Sequence, residues 1–189
     1  MKLLFIVGSL REQSFNRQLA EAAARMFENQ AEISFLNYED VPLFNQDREN
    51  PVPEAVAAAR QTCLDNDAIW IFSPEYNGQI PGVLKNLLDW LSRPVRPGES
   101  QTNTAVYGKP VTCSGVGGKN QTRGCRRLLN ALLTYIHMKV MKEPQTGLTA
   151  SPEAWKTSVL DLDDEQKAEL QAQGEAFLKF VQENLPDQQ

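Results

Sequence analysis

Histidine and cysteine are scarce in this chain: His137 stands alone, and Cys63, Cys113 and Cys125 are the three cysteines among 189 residues. An odd cysteine count without CxxC spacing indicates neither a disulfide framework nor a thiolate and imidazole metal site. His137 lies in an apolar stretch and reads as a core residue, so no Ser-His-Asp set is sought. Basic charge is also in deficit. Nineteen Lys and Arg against twenty-four Asp and Glu give a net charge of -5, leaving no global positive field to gather nucleic acid or an anionic membrane surface. Long apolar runs are missing too. Residues 1–8 soon meet Arg11 and Glu12, too short a run to span a bilayer and one with no small-residue cleavage site after it. The chain reads as cytoplasmic, and its chemistry points to an organic cofactor.

At 41% hydrophobic and 23% charged residues, the composition is that of a soluble globular protein. Its length against the roughly 150 residues of an ordinary domain predicts a single domain over 1–189. Apolar runs at 2–7, 31–36, 68–72, 111–114 and 138–141 read as strands. Between and after them lie helical stripes: Phe15, Leu19, Ala22, Ala23, Met26 and Phe27; Val52, Val56, Ala59 and Cys63; Leu84, Leu87, Leu88 and Leu91; Leu128, Leu129, Leu132 and Leu133; and Leu170, Phe177, Leu178 and Val181 within 164–184. Such alternation predicts an α/β three-layer sandwich built on a five-stranded parallel sheet, in the flavodoxin-like order 2-1-3-4-5. Ligands of that arrangement sit outside the carboxyl ends of the strands near the switch point. Three loops are selected in advance: those after Val7, Phe72 and Ser114.

The first loop, Gly8-Ser9-Leu10-Arg11-Glu12-Gln13-Ser14-Phe15-Asn16, turns a strand into a helix. Free N–H groups and the positive helix end converge there, and Ser9, Arg11, Ser14 and Asn16 add donors suited to a phosphate monoester. The plainer alternative is that Ser14 caps the helix and Arg11 is solvated. The loop is neither G-x-x-x-x-G-K-[ST] nor G-x-G-x-x-G, so a mononucleotide fits better than a triphosphate or a dinucleotide. The second loop, Ser73-Pro74-Glu75-Tyr76-Asn77-Gly78, suits a flat ring lying against main chain, with Tyr76 stacking or shaping the wall; the alternative is a helix-leading turn with Tyr76 buried. The third, Gly115-Val116-Gly117-Gly118, offers main-chain donors to a carbonyl edge or serves as a flexible turn.

The first loop followed by Leu19-Ala20 resembles the G-S-x-R-x-x-S-x-N-x-x-L-A signature of the NADPH-dependent FMN reductase family. Pro74-Glu75-Tyr76-Asn77, Pro81-Gly82-Val83-Leu84-Lys85-Asn86 and Asp89-Trp90 resemble its second signature, and the likeness covers residues 1 to about 145. The resemblance implies FMN held noncovalently, its phosphate on Ser9, Arg11, Ser14, the Phe15 N–H and Asn16. It implies isoalloxazine contacts from Pro74, Glu75, Tyr76 and Asn77 and from Gly115, Val116, Gly117 and Gly118. It further implies NADPH or NADH as co-substrate, flavin N5 and no side chain as the reacting centre, and ping-pong transfer to small acceptors: quinones, flavins, azo dyes or metal oxyanions. A basic cluster of Lys119, Arg123, Arg126 and Arg127 reads either as a seat for the NADPH 2'-phosphate or as a solvated or intersubunit face. Trp90 and Leu91 read as part of a homodimer or homotetramer contact, or as monomer core. A flavodoxin-type electron carrier and a non-enzymatic phospholigand binder remain the other accounts; 93–108 shows no assignable pattern.

Overall fold

The computed structural model describes residues 1–96 and 98–185. Its parallel sheet is built from β1 (Lys2–Val7), β2 (Glu32–Phe35), β3 (Ala68–Phe72), β4 (Pro110–Gly117) and β5 (Lys139–Val140), in the order β2-β1-β3-β4-β5 that the strand and helix alternation predicts. All of β3, and β1 from Leu3 onward, is buried, as strands covered on both faces must be. The period-two alternation of side chains then sorts the core into two layers. Leu3, Phe5, Val7, Trp70 and Phe72 pack with α1 (Phe15–Phe27) and α6 (Asp164–Asn184). Leu4, Ile6, Ile69 and Ile71 pack with α2 (Glu54–Leu64), α3 (Gly82–Leu91) and α4 (Arg123–Tyr135).

Aromatic packing dominates the first layer: the Trp70 ring stacks on Phe72 at 5.1 Å and meets Phe177 edge-on at 5.7 Å. Gly174, in the middle of α6, follows from this layer, because a Cβ there would fall 2.0 Å from the Phe27 ring. Close approach of α1 and α6 outweighs the loss of helix propensity that a glycine brings. The start of α6 is fixed by a capping box, in which Asp163 accepts from Gln166 N (2.8 Å) and Gln166 accepts from Asp163 N (3.2 Å).

Several expectations change in the structure. The fourth strand does not stop at Ser114 but runs on through Gly115, Val116 and Gly117, because a short sixth strand, β6 (Gly147–Thr149), pairs with that extension. A further helix, α5 (Pro152–Thr157), begins with Pro152 after a Ser151 cap. His137 is not core: it is exposed, in a left-handed turn with φ 64°. Trp90 and Leu91 are wholly buried within the chain, Trp90 donating from Nε1 to Pro42 O at 2.8 Å, so they present no surface to a partner. In the 93–108 stretch, Arg93 grips Glu49 at 2.8 and 3.2 Å, and Ala105 and Val106 join the core.

Candidate functional site

At the end of β1 the chain turns at Gly8, whose N–H donates to Phe72 O at 2.8 Å. A Cβ at Gly8 would lie 2.7 Å from Ser73 Oγ and 3.0 Å from Leu84 Cδ2, so the bare backbone lets the first loop sit against the second. Ser14 occupies the N-cap of α1, yet its side chain makes no capping hydrogen bond and no acidic residue lies in the first turn. The leading N–H groups of α1 therefore have no side-chain acceptor, and the positive end of the helix is open to an anion. Ser9 and Ser14, both buried, flank that end. Uncapped N–H groups beside two sheltered hydroxyls fit a phosphate. Arg11 is exposed but tethered, donating from Nη2 to Ser158 Oγ at 2.6 Å with its guanidinium 5.7 Å from the Phe15 centroid.

Asn16 has another task. Its Nδ2 donates to Val116 O (3.0 Å) and its Oδ1 accepts from Val116 N (2.9 Å), so the amide joins the first loop to the end of β4. What Asn16 holds open toward an anion is its main-chain N–H in the first turn of α1.

The second loop closes as a tight hairpin. Asn77 and Gly78 take positive φ (53° and 73°), and Tyr76 and Gln79 exchange main-chain hydrogen bonds at 3.2 and 2.9 Å, the pattern of an Asn-Gly turn. This lifts Tyr76 out to 49% exposure, which removes the buried-turn alternative, and brings its hydroxyl 3.4 Å from Ser9 Oγ. Glu75 points elsewhere. Its Oε2 accepts from Cys125 N at 2.7 Å and its Oε1 from Asn120 Nδ2, capping α4 from another loop while the N-cap residue Thr122 makes no capping bond. A carboxylate at that helix end is electrostatically favoured. The Glu75 side chain is therefore committed to α4.

The glycines of the third segment divide by cause. A Cβ at Gly115 would fall 2.3 Å from Thr122 Oγ1 and 2.4 Å from Ser73 O, and one at Gly117 3.0 Å from Thr122 Cγ2, so both answer internal crowding; Gly118 faces open space. The Thr122 hydroxyl is buried without a hydrogen-bond partner among the described residues.

A wall not foreseen from sequence closes the side of the first loop. Gln18 Nε2 donates to Ser158 O (2.9 Å) and its Oε1 accepts from Leu160 N (2.7 Å), docking the chain after α5 onto α1. The Trp155 indole, 57% exposed, stands edge-on to Phe15 at 5.1 Å. Tyr38 donates its hydroxyl to Val7 O at 2.6 Å, and burial pushes its pKa above the ordinary phenol value. A cavity of about 390 Å³ lies between the first loop and the end of β2, lined by Ser9, Arg11, Arg17 and Asn37 among others.

Within the basic cluster, Arg126 is already engaged with main chain. Arg126 donates from Nη1 to Gln145 O (3.0 Å) and from Nη2 to Gln121 O (3.4 Å), and burial depresses its pKa. Arg123, Arg126, Arg127 and Lys142 line a groove of about 560 Å³ that follows α4 as far as Thr134. The three cysteines are free and buried, and burial raises the Cys63 thiol to about 12 and that of Cys125 to about 11. Among the described residues no cluster of three or more His, Cys, Asp or Glu is placed to hold a metal, and no helix is long and apolar enough to cross a membrane.

A parallel sheet in this order, with an open helix N-terminus and a backbone-lined hairpin at the carboxyl ends of β1 and β3, defines a flavodoxin-like α/β protein. The model of the NADPH-dependent FMN reductase family matches residues 1–153, and the chain belongs to that family of NAD(P)H-dependent oxidoreductases. A 2-hydroxy-1,4-benzoquinone reductase from a Burkholderia species is 37% identical over 147 residues, covering 77% of this chain and 76% of the relative. A quinone reductase from Pseudomonas putida is 32% identical over 181 residues, covering 95% and 94%. Among solved structures, the flavoenzyme NAD(P)H:(acceptor) oxidoreductase FerB of Paracoccus denitrificans superposes with a TM-score of 0.86 at 26% identity, covering 98% of this chain and 99% of that one.

Proposed function

We infer that the cleft at the carboxyl ends of β1, β3 and β4 holds FMN noncovalently and that the chain passes reducing equivalents from NADPH or NADH to small acceptors, quinones foremost. The observation that carries this reading is the uncapped start of α1, with the Ser9 and Ser14 hydroxyls at its edge and the lifted Tyr76 hairpin beside it. In this reading Ser9, Arg11, Ser14 and the N–H groups of Phe15 and Asn16 take the phosphate. The main chain of 74–77 and 115–118 borders the ring, with Tyr76 as its exposed wall. Bound there, FMN would supply the hydride chemistry.

The chain's own residues do the orienting. Asn16 fixes the third wall to α1 and Glu75 fixes the second to α4, and the exposed Tyr76 at the mouth leaves one open face for a nicotinamide and then an acceptor. Shared occupancy of that face makes the kinetics ping-pong, with parallel double-reciprocal lines across NADPH and quinone concentrations. Flavins, azo dyes and metal oxyanions belong to the same acceptor class. The chain acts as one domain in a homodimer or homotetramer, which sedimentation at micromolar concentration checks.

The deciding experiment is an FMN titration of purified protein followed by anaerobic mixing with each nicotinamide and then a panel of acceptors. Saturable quenching and rapid bleaching of the yellow colour support the assignment. A protein that binds FMN but is not bleached by either nicotinamide is an electron carrier, and one that binds no FMN refutes the reading.

A further inference from the structure

One polar side chain interrupts the apolar stripe of α6 between Leu170 and Phe177: Gln173, which is 0% exposed. Its Oε1 accepts from Ser114 Oγ at 2.7 Å and Thr146 N at 2.6 Å, while its Nε2 donates to Thr112 Oγ1 and Cys113 O, each at 3.0 Å. These bonds use the full capacity of the amide. Ser114 Oγ accepts in turn from Trp70 Nε1 at 2.8 Å, which ties the set to β3.

The ladder of β4 explains why an amide is needed there. On one edge, regular pairing ends with Met141 N on Val111 O (2.8 Å) and resumes with Gly115 N on Thr146 O (3.0 Å). Between them Cys113 O faces no strand, and Gln173 Nε2 occupies the place of the missing donor. On the opposite edge, pairing with β3 ends at Ser73 N on Ser114 O (2.9 Å), and Asn16 serves Val116 beyond it. Side-chain amides therefore stand in for absent strand on both edges of β4. Both act on the stretch that ends at the third wall of the cleft.

We propose that Gln173 is a positioning residue for the flavin cleft: by bridging Thr146 to the Thr112, Cys113 and Ser114 segment it sets β6 against β4. That sets the placement of 115–118 relative to the phosphate loop. The inference rests on the reading of this cleft as an FMN site. Gln173 touches no part of the cleft itself, so its effect travels through β4. A buried polar group that merely satisfies its neighbours would change stability when replaced and nothing else.

The test compares Gln173→Met, which removes every hydrogen bond of the amide, with Phe177→Leu, an equally buried position on the same helix that packs on Trp70. Three quantities are measured on full-length protein: the thermal midpoint, the FMN dissociation constant by fluorescence quenching, and the visible spectrum and midpoint potential of the bound flavin. The expected result is that Gln173→Met weakens FMN binding by about tenfold or more and moves the spectrum and potential, while Phe177→Leu loses thermal stability but keeps the wild-type constant within about twofold. A folded Gln173→Met that binds FMN as the wild type does overturns the proposal. So does a Phe177→Leu that weakens binding as much as Gln173→Met. Gln173→Glu keeps the volume but turns the donor on Cys113 O into an acceptor, and is read by the same criteria if Gln173→Met does not accumulate folded. Wild-type protein that fails to bind FMN refutes the flavin reading itself, a separate outcome from wild type and Gln173→Met binding alike.

Discussion

Replacement of Asn16 by alanine isolates the joint between the first loop and β4. The amide meets both main-chain groups of Val116, at 3.0 and 2.9 Å, and Val116 is 1% exposed. Removing it leaves one N–H and one C=O buried without partners, each worth about 1–3 kcal/mol when unsatisfied. The lower part of that range applies if a water enters the small space left behind, so the loss comes to about 3 kcal/mol. For a chain of this size each kcal/mol lowers the melting midpoint by roughly 2–4 °C, which places the fall near ~9 °C. Thermal melts followed by circular dichroism, with and without excess FMN, read it directly. Asn16→Asp is the sharper probe. It keeps the acceptor for Val116 N, sets an oxygen against Val116 O, and puts a negative charge at the helix end proposed to take the phosphate. Asn16→Asp is therefore expected to lose more FMN affinity per degree of melting than Asn16→Ala. A fall of under about 2 °C for Asn16→Ala, with FMN quenching unchanged, would refute the view that this amide joins the walls of the cleft.

Glu75→Ala removes the only side chain capping α4 among the described residues, and urea denaturation is expected to show a loss of about 1–2 kcal/mol. Gly174→Ala gains helix propensity but drives a Cβ to within 2.0 Å of the Phe27 ring, so the net change is a destabilisation of about 1–3 kcal/mol by the same assay. The native thiols are expected to stay silent to Ellman's reagent at neutral pH and to react on unfolding, since burial raises Cys63 to about 12 and Cys125 to about 11. With a folded pKa above the unfolded value of 9.0, the Cys63 contribution is fully present below that pH and fades as pH rises toward 12. The stability gap between wild type and Cys63→Ala should accordingly narrow across that window in denaturation curves.

Strands and helices were legible because their signals are local and periodic. The span 164–184 read from the apolar stripe coincides with α6, whose start a capping box reinforces. β6 was not legible: three residues, Gly147–Thr149, carry no alternation to detect, and without β6 the fourth strand looked finished at Ser114. The first loop is legible as a candidate anchor, but the partners of its residues are hidden. Asn16 meets Val116 100 positions away, and Glu75 meets Cys125 50 positions away; a side-chain bond to distant backbone leaves no pattern in either stretch. Two signals were present and could have said more. Asn77-Gly78 is a hairpin dipeptide, and Gln173 is an amide on an otherwise apolar helix face, which marks a buried polar contact whose partner only the fold supplies.

The same hydrogen bonds show how a cleft bordered by loops would hold the rigid ring proposed for it. Loops ordinarily move because few buried contacts restrain them, yet each wall here is pinned near the end of its strand: Gly8 to Phe72, Val116 to Asn16, Glu75 to the head of α4. The ordering entropy of those walls is thus spent on folding and not again on binding, so affinity need not come from closure. Arg11 is the exposed exception, held by Ser158 on a segment docked through Gln18. A phosphate bound as proposed would exchange that one hydroxyl partner for a charged oxygen. The gain from Arg11 is then the difference between two hydrogen bonds, while the fixed N–H groups of α1, which give up no protein partner, contribute in full.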